Sequence, residues 1–536
     1  MPFAPVFSVV APLAGLFVLL VVARFPRLRF YRRFVAPAGA VLSLIGVLAV
    51  PMEPAQVAIL SYWRPSVFFG ASPALLAAPE VWCLALAFSC AVTASLLVQL
   101  SRVPEPRFPL GISALGMLAA GLAGLWGENL LTVLIAWAGF DLAWGLGMAA
   151  AGLPARQLVL GAGLNGLATM ALWVGALASG GGGLSWQFMP PAGLGGGLLL
   201  VAGLLRLSLY PLHLTLPEED GQGQPGAAPL LLGPVLGWGM LARLAAVGGG
   251  TLVVGPWLEG LAAVTFVGGG FLAWTRTGPG GGWPWASLAG VGEVLWASLL
   301  AGEAALPVLV AGGAAWALGT TLLRLDKGLD LTAPWWSATG ALGGMALLGA
   351  PLTLGLVPAA FLAGSFATPF AAGKVVVFLI GQGLLTAAVA RRVLRTAPAE
   401  EPAGPLPAAA RAAGLILPTA LLLLGGAWPD LLVPFAGTLW GLLAQSGVIG
   451  WGSWAAGIVV GAVLSWQERR FRQRLEPLLG LVHDIFRLEW VLRLVLNSLA
   501  RASAFLSVVA EVVEGPGAIL WALAIFLLVL LIVVGR

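Results

Sequence analysis

Apolar segments of about twenty residues follow one another along nearly the whole chain, and each is long enough to cross a bilayer as a helix. The composition agrees: 60% of the 536 residues are hydrophobic and 9% are charged, whereas about 25% are charged in a soluble domain. A membrane span must satisfy its own backbone hydrogen bonds, which a helix does. The sequence therefore predicts an all-α polytopic membrane protein with about 14 to 16 transmembrane helices.

Two of the predicted spans, the seventh and the twelfth, contain helix-breaking residues. Pro211 interrupts the seventh span, and Pro351, Gly355 and Pro358 interrupt the twelfth. Broken helices at corresponding places in two halves of a chain are typical of transporters built from inverted repeats, with a binding site near the midplane. The interruptions therefore predict two related repeats.

Basic residues are concentrated in the odd-numbered connections between predicted spans. Those connections carry Arg24 to Arg33, Arg102, Arg107, Arg156, Arg276, Arg324, Lys327, Arg391, Arg392, Arg395 and the run Arg469 to Arg474. By the positive-inside rule these loops are cytoplasmic. Both termini of this multi-pass protein are therefore predicted to face outward.

The segment 467–515, between the last two predicted spans, differs from the others. After a predicted break at Pro477 and Gly480, polar residues recur every four positions, at Glu489, Arg493, Asn497 and Arg501. Such amphipathic periodicity predicts a lateral helix along the membrane surface or across neighbouring helices. A helix that contacts lipid and a strut that contacts a partner protein are both compatible with this pattern.

Motifs for redox or hydrolytic chemistry do not occur in the chain. We find no nucleotide-binding loop, haem motif or iron–sulfur cysteine set, and Cys83 and Cys90 are interpreted as packing residues. The sequence thus predicts no cofactor and no metal, and it leaves open whether the chain is a subunit of an enzyme. Nothing in it indicates a nucleic-acid partner.

A few ionisable residues remain within or near the apolar spans. A proton path needs titratable groups, and charged groups inside a membrane are costly enough to require partners, water or a function. Arg206 retains its proton too firmly to pass it on, so its role would be to set the field for a neighbouring acid. The candidates for a proton or ion path are Asp141, Arg206, His213, Glu293, Glu128, Arg324 and Lys374.

Each candidate also has a structural interpretation. Asp141 can cap or pair within the bundle, and His213 can bond to carbonyls freed at the proline. Other charged residues, including Arg243, lie near predicted helix ends, where long side chains reach the membrane surface without any function. These residues are Glu128, Arg243, Glu303, Arg324 and Lys374.

Tyr210–His213, followed by Leu216–Glu218, forms a distinctive motif of an aromatic residue, proline, leucine and histidine, then leucine, proline and an acidic residue. Four further stretches accompany it, Asn129–Trp137, Asn165–Gly166, Trp285–Gly292 and Gly349–Gly355. In this order the motifs resemble those of the antiporter-like membrane subunits of respiratory complex I, Mrp cation/proton antiporters and group 4 membrane-bound hydrogenases, where the first motif reads F-P-L-H-x-W-L-P with a following acidic residue. The resemblance covers about residues 75–395.

The chain departs from the family at most of its functional positions. Ala138 stands where the family has a glutamate, and Asp141, one turn on, is its potential substitute. Arg206 replaces the lysine of the seventh helix. The family's remaining histidine and lysine positions fall on or near Leu231, Gly237, Thr320 and Ala359.

The resemblance implies a membrane-arm subunit of a complex I-like or hydrogenase-like assembly, such as an NADH:quinone oxidoreductase-like complex, in a bacterial or archaeal cytoplasmic membrane. Its partners would be the lipid bilayer and other membrane subunits, which carry out the redox chemistry while this chain contributes to proton or cation translocation. Two alternatives stay open. One is a non-conducting scaffold subunit, and the other is a secondary cation/proton antiporter or ion-uptake subunit.

The same resemblance divides the chain into six parts. They are N-terminal helices 1–109, a first antiporter-like repeat 110–250, a second repeat 251–395, C-terminal helices 396–466, the lateral helix 467–515 and a final span 516–536.

Overall fold

A computed structural model of the chain describes most of its residues. These are 4–50, 57–59, 70–101, 108–178, 186–213, 225–276, 282–325, 334–367, 371–394, 404–488, 490, 491, 494, 497, 498, 501–505, 507, 508 and 518–534. They form two compact units, 1–473 and 474–536, and each unit is described by itself.

The first unit begins with four helices and a small sheet. The helices are α1 (Ala4–Arg24), α2 (Arg29–Leu48), α3 (Pro79–Leu100) and α4 (Phe108–Leu125), and a 3₁₀ turn at Pro26–Leu28 precedes α2. Strands β1 (Val57–Ile59) and β2 (Ala74–Leu76) pair antiparallel, with Val57 opposite Leu76 and Ile59 opposite Ala74. The sheet lies at the same end as the start of the next helix, because the Ala74 N–H donates to the Thr132 hydroxyl at 2.9 Å.

The middle of the chain contains the first interrupted span. Its helices are α5 (Leu130–Ala151), α6 (Ala155–Ala178), α7 (Gly193–Arg206), a 3₁₀ helix (Pro225–Leu231) and α8 (Pro234–Val247). Asn129 caps α5, since its side-chain oxygen accepts from the Thr132 N–H at 2.9 Å. Gly152 ends α5 in a left-handed conformation, which glycine adopts at little cost. Helix α7 has only 14 residues, too few to cross the bilayer alone.

The second half contains the second interrupted span. Its elements are α9 (Pro256–Thr275), α10 (Trp283–Leu300), a 3₁₀ turn (Gly302–Ala304), α11 (Ala305–Leu325), α12 (Pro334–Leu347), α13 (Leu356–Gly364), a 3₁₀ turn (Ser365–Ala367) and α14 (Ala372–Val393). Between α12 and α13 the chain turns through Gly349 and Leu352, both at positive φ. The two predicted broken helices are therefore confirmed, and each places non-helical backbone among buried protein atoms.

The remaining helices are α15 (Pro405–Ala427), the short α16 (Pro429–Leu432), α17 (Leu439–Phe486) and α18 (Ala518–Val534). Helix α17 contains a kink at Gly447 (φ 59°, ψ −179°). The break predicted at Pro477 and Gly480 is wrong. The helix continues through both residues to Phe486, because a proline removes one hydrogen bond without necessarily ending a helix. Of the predicted polar face of the lateral helix, Glu489 and Arg493 lie outside the described residues.

The all-α polytopic fold class is confirmed. Among the described residues, eleven helices are long and apolar enough to cross a membrane, and the shorter apolar helices α7, α8, α12 and α13 include the pieces of the two broken spans. Helices α3 and α11 form the centre of the first unit, since 94% of the residues in the apolar stretch of each are buried. In α1 and α6 fewer than a third of these residues are buried. Most buried polar residues of the described chain lie on helices, and Ser208, His213 and Thr353 lie in the two interruptions.

Candidate functional site

The candidate site begins where α7 ends, at Arg206. After this residue the chain leaves the helical conformation: Ser208 has a φ of 56°, and a cis peptide bond joins Tyr210 to Pro211. Arg206 and Ser208 are both buried. The interruption therefore places a cation at the end of a half-helix, inside the protein.

Asp141 of α5 neutralises this cation. The Arg206 guanidinium donates from Nη1 to Asp141 Oδ1 and from Nη2 to Asp141 Oδ2, the latter at 2.7 Å. Nη2 also donates to the Thr169 hydroxyl of α6 at 3.0 Å, and the guanidinium lies 4.5 Å from the centroid of the Trp137 ring. The forked guanidinium matches the two carboxylate oxygens, which makes this a strong type of ion pair.

The two partners of the ion pair differ in their exposure. The Arg206 side chain is 1% exposed, and the Asp141 side chain is 22% exposed. A buried charge is stable only when it is paired, so Arg206 depends on Asp141. Asp141 is the more exposed partner, and a carboxylate, unlike a guanidinium, can take up a proton.

His213 lies at the far end of the described part of this interruption and is fully buried. Its ring stacks on Tyr210 with centroids 5.0 Å apart and planes 1° apart. It also meets the Trp285 ring of α10 edge-on, at 5.1 Å and 65°. His213 thus connects the first broken span to a helix of the second half of the chain.

The other predicted site residues are not part of the Asp141–Arg206 pair. Glu128 accepts a hydrogen bond from Asn129 at 2.9 Å, and Lys374 pairs with Glu259 at 2.9 Å. The Arg324 guanidinium lies 4.9 Å from the Trp283 ring centroid. These three lie near helix ends. Glu293, by contrast, is buried in the middle of α10 and lines a small cavity.

A second buried cation is Arg243 of α8, which was interpreted from the sequence as a residue without a function. Its expected role as a side chain reaching the membrane surface is wrong, because the residue is 6% exposed. It donates to Glu80 Oε1 at 3.4 Å and to the Leu125 carbonyl at 3.1 Å. Glu80 lies 163 positions earlier in the chain, so no local sequence pattern indicated the pair. Thr169 and Trp137 of the first site were missed for the same reason.

Close packing leaves no room for a long side chain at Gly237 and little at Ala359, which fall on or near lysine positions of the resembled family. A Cβ atom at Gly237 would lie 2.8 Å from the Gly203 carbonyl oxygen and 2.8 Å from the Leu207 side chain. Helix α8 therefore approaches α7 too closely for a side chain there. Ala359 is buried where α13 packs against Gly349. The Thr320 hydroxyl of α11 donates to the Trp316 carbonyl of its own helix at 2.7 Å.

The fold and the site together define a class: polytopic membrane proteins with two broken helices around a buried core and an ion pair at the first break. The same fold occurs in solved membrane complexes. The chain matches one in the structure of the Mrp complex from Dietzia sp. DQ12-45-1b over 99% of its length, with a TM-score of 0.76 and 17% identity. It spans 62% of the length of that Mrp chain.

Two further structures share the fold over almost their whole chains. One is a chain of the membrane-bound sulfane sulfur reductase, an archaeal respiratory membrane complex, with a TM-score of 0.71, 16% identity, and coverage of 98% of this chain and 99% of that one. The other belongs to respiratory complex I from Thermus thermophilus, with a TM-score of 0.62, 19% identity, and coverage of 86% and 99%. Neither a protein-family model nor a curated protein matches the sequence. The antiporter-like fold is confirmed, and at these identities the likeness shows the fold alone.

Proposed function

We propose that this chain is a membrane-arm subunit of a respiratory or hydrogenase-type complex and contributes to proton, or cation, movement at Asp141, Arg206 and His213. The observation that carries the proposal is the buried, two-pronged ion pair at the end of a half-helix. The fold shared with chains of three membrane complexes supports the assignment to a multi-subunit assembly. The distribution of arginines supports a cytoplasmic membrane with both termini outside.

In the proposed mechanism, the ion pair controls when Asp141 takes a proton. While Arg206 holds both carboxylate oxygens, protonation would leave a buried cation with only the Thr169 hydroxyl and the Trp137 ring as partners. That state is costly, so protonation must accompany a movement of the half-helix end that carries Arg206. The irregular backbone after Arg206 gives this end the freedom to move. His213 then exchanges a proton on the side of the interruption nearer α10.

The proposed division of the chain places one break in each repeat. The first repeat, 110–250, contains the Asp141–Arg206 pair and His213. The second repeat, 251–395, contains the α12–α13 break. In this arrangement the segment 467–515 acts outside the repeats, as a contact to neighbouring subunits.

The decisive experiment measures the rate of proton uptake by the complete complex in inverted membrane vesicles, together with the rate of its redox turnover. We expect Asp141→Asn to slow the proton uptake through this subunit about tenfold or more, which corresponds to a barrier higher by about 1.4 kcal/mol. Glu303→Gln is the matched control, because it makes the same carboxyl-to-amide change at an exposed residue. Arg206→Ala removes the cation that pairs with Asp141, should also lower the uptake, and tests the site if Asp141→Asn prevents assembly. Unchanged uptake in the site variants of an assembled complex would overturn the proposal.

A second candidate function, a non-conducting scaffold subunit, is favoured by the packing between the two breaks. The close approach at Gly237 and the buried Ala359 fill positions where the resembled family has titratable side chains. If the chain is a scaffold subunit, Asp141→Asn should change the amount of assembled complex but leave the proton uptake per turnover unchanged. Measuring both quantities on one preparation therefore separates the two functions.

A further inference from the structure

Glu293 is the most buried charged residue in the second half of the described chain. It occupies the eleventh position of the 18-residue helix α10, close to its centre, and the residue is 3% exposed. Among the described residues, none donates a hydrogen bond to its carboxyl group or forms an ion pair with it. No contact within helix α10 compensates for burying a carboxyl group at this position.

A cavity lies next to the Glu293 side chain, at the interruption between α12 and α13. Its wall includes Glu293 and Gly290 of α10, Gly312 of α11, and Gly349, Gly355 and Pro358 from the interrupted span. The space available to the centre of a water molecule is about 10 Å³, which corresponds to about one water. The size of this space excludes a larger organic ligand.

The glycines in this wall keep the interruption compact around the cavity. A Cβ atom at Gly355 would collide with the Ala346 carbonyl oxygen, and one at Gly349 would collide with the Ala359 side chain. A Cβ at Gly290 would instead point at the Trp316 and Leu347 side chains, at 3.2 and 3.3 Å. Trp316 and Leu347 also line the cavity, so a methyl group at Gly290 would occupy space next to the carboxyl.

No other charged side chain of the helices packed around α10 lies near the centre of its helix. In the described parts of α9, α11, α12, α13, α14 and the 3₁₀ turn after α10, the charged residues are Glu259, Glu303, Arg324, Lys374, Arg391 and Arg392. All lie within a few residues of a helix end or in the turn. The carboxyl therefore lacks a nearby fixed cation, and a proton is the simplest positive charge that neutralises it.

We propose that Glu293 and one water molecule in this cavity form a second proton-binding site, at the break of the twelfth span. The carboxyl oxygen takes a proton from a hydrated proton at the water position and returns it there, with no change in oxidation state. Broken helices place binding sites near the midplane in inverted-repeat transporters, which agrees with this location. A role of the site in proton movement rests on the function proposed above, whereas proton binding at Glu293 does not.

Helix geometry relates this site to the first one. Trp285, which contacts His213, precedes Glu293 by eight residues on α10. Eight residues correspond to about 12 Å along a helix axis and about 2.2 turns, so the two side chains are offset by about 80° around α10. The helix thus carries a contact to the first break and the carboxyl of the second.

Infrared spectroscopy of the full chain in its complex tests the proposal. We expect a C=O stretching band of a protonated carboxyl that shifts in D₂O, disappears in Glu293→Gln and persists in the matched control Glu303→Gln. A band that survives in Glu293→Gln would overturn the proposal. It would also be overturned if sodium ions at constant pH abolished the band, because the site would then take a cation instead of a proton.

Gly290→Ala supplies a second readout, which also applies if Glu293→Gln does not assemble. It keeps the carboxyl and fills space beside it, so we expect the band to remain and its exchange in D₂O to slow about tenfold. Exchange at the wild-type rate would contradict the role of the water. The two proposals can fail independently. Unchanged proton uptake in Asp141→Asn would overturn the proposed function but would not affect the infrared band of Glu293. A band that does not depend on Glu293 would overturn proton binding at this residue but would not affect the result for Asp141→Asn.

Discussion

The two interrupted spans of this protein are held by different interactions. At the first, a cation at the end of α7 pairs with Asp141 of α5 and contacts Thr169 and Trp137. At the second, neutral groups bond the freed backbone. The Leu348 carbonyl accepts from the Gln382 side chain at 2.9 Å and from Trp454 Nε1 at 2.7 Å.

This difference has consequences for stability and for function. Neutral donors satisfy a carbonyl without bringing charge into the membrane, so the second break needs no counterion. The first break contains a charge that must be paired, and the loss of either partner leaves the other uncompensated. A change of protonation therefore acts directly on the structure of the first break. At the second break, the titratable group, Glu293, lies beside the hydrogen bonds instead of among them.

The largest expected effect concerns the ion pair. We expect Asp141→Leu to lower the free energy of unfolding by about 3 to 5 kcal/mol, because it leaves Arg206 buried and unpaired. Arg206→Leu should cost less, about 1 to 3 kcal/mol, because the Asp141 side chain is 22% exposed and is therefore less completely buried than Arg206. Unfolding of the purified protein in detergent measures both values.

The double variant Asp141→Leu/Arg206→Leu completes this test of the first break. Replacing both charges with apolar groups is often close to neutral, so the double variant should be more stable than Asp141→Leu alone. Additive losses would contradict the view that the two charges act as a unit. In that case the difference between the two breaks would not rest on charge pairing.

The sequence was sufficient to locate both breaks and the charged residues of the first one, but not the contacts among them. Proline and glycine act on the local backbone, so Pro211 and Gly355 indicate interruptions without any tertiary information. Pairing is different. Arg206 is 65 positions from Asp141 and Arg243 is 163 from Glu80, and such distances are bridged only by helix packing.

Two interpretations of the sequence are wrong for different physical reasons. Arg243 lies near a predicted helix end, which suggested a side chain that reaches the membrane surface, but the residue is buried by its neighbours and Glu80 supplies a counterion. Pro477 was expected to end a helix that in fact continues to Phe486. A position near a helix end does not determine whether a side chain is exposed, because neighbouring helices decide its burial. A proline does not determine where a helix ends, because the remaining hydrogen bonds can continue the helix.

The next largest effect is expected at the second break, from its closest backbone contact. Gly355→Ala should lower the free energy of unfolding by about 1 to 3 kcal/mol, because the new methyl group would collide with the Ala346 carbonyl and force the two half-helices apart. Gly163→Ala is the control, since a Cβ there meets no atom within 4 Å. Equal stability of the two variants would show that α12 and α13 can move apart without loss of stability. Close backbone packing would then not distinguish the second break from the first.

The neutral hydrogen bonds of the second break should show a smaller and non-additive effect. Gln382→Met or Trp454→Phe alone should each cost about 1 kcal/mol, because the Leu348 carbonyl keeps its other donor. The double variant leaves this carbonyl without either side-chain donor and should cost more than the sum of the single variants. If the double variant loses only that sum, the two donors act independently, and the second break is held less cooperatively than the ion pair.

The smallest effect is expected from the backbone conformation at the second break. Leu352 has a φ of 66°, in the left-handed region that costs an ordinary residue about 1 to 2 kcal/mol. Its side chain is 55% exposed, so Leu352→Gly loses little packing while it relieves this conformational cost. The greater backbone entropy of glycine in the unfolded chain offsets part of the gain, about 0.5 to 1 kcal/mol. We therefore expect Leu352→Gly to raise the free energy of unfolding by less than about 1 kcal/mol.

The same measurement on Ser208→Gly tests the backbone of the first break. Ser208 has a φ of 56°, and the substitution also removes its buried hydroxyl. A larger gain at Ser208 than at Leu352 would mean that backbone strain, and not only charge, distinguishes the two interruptions.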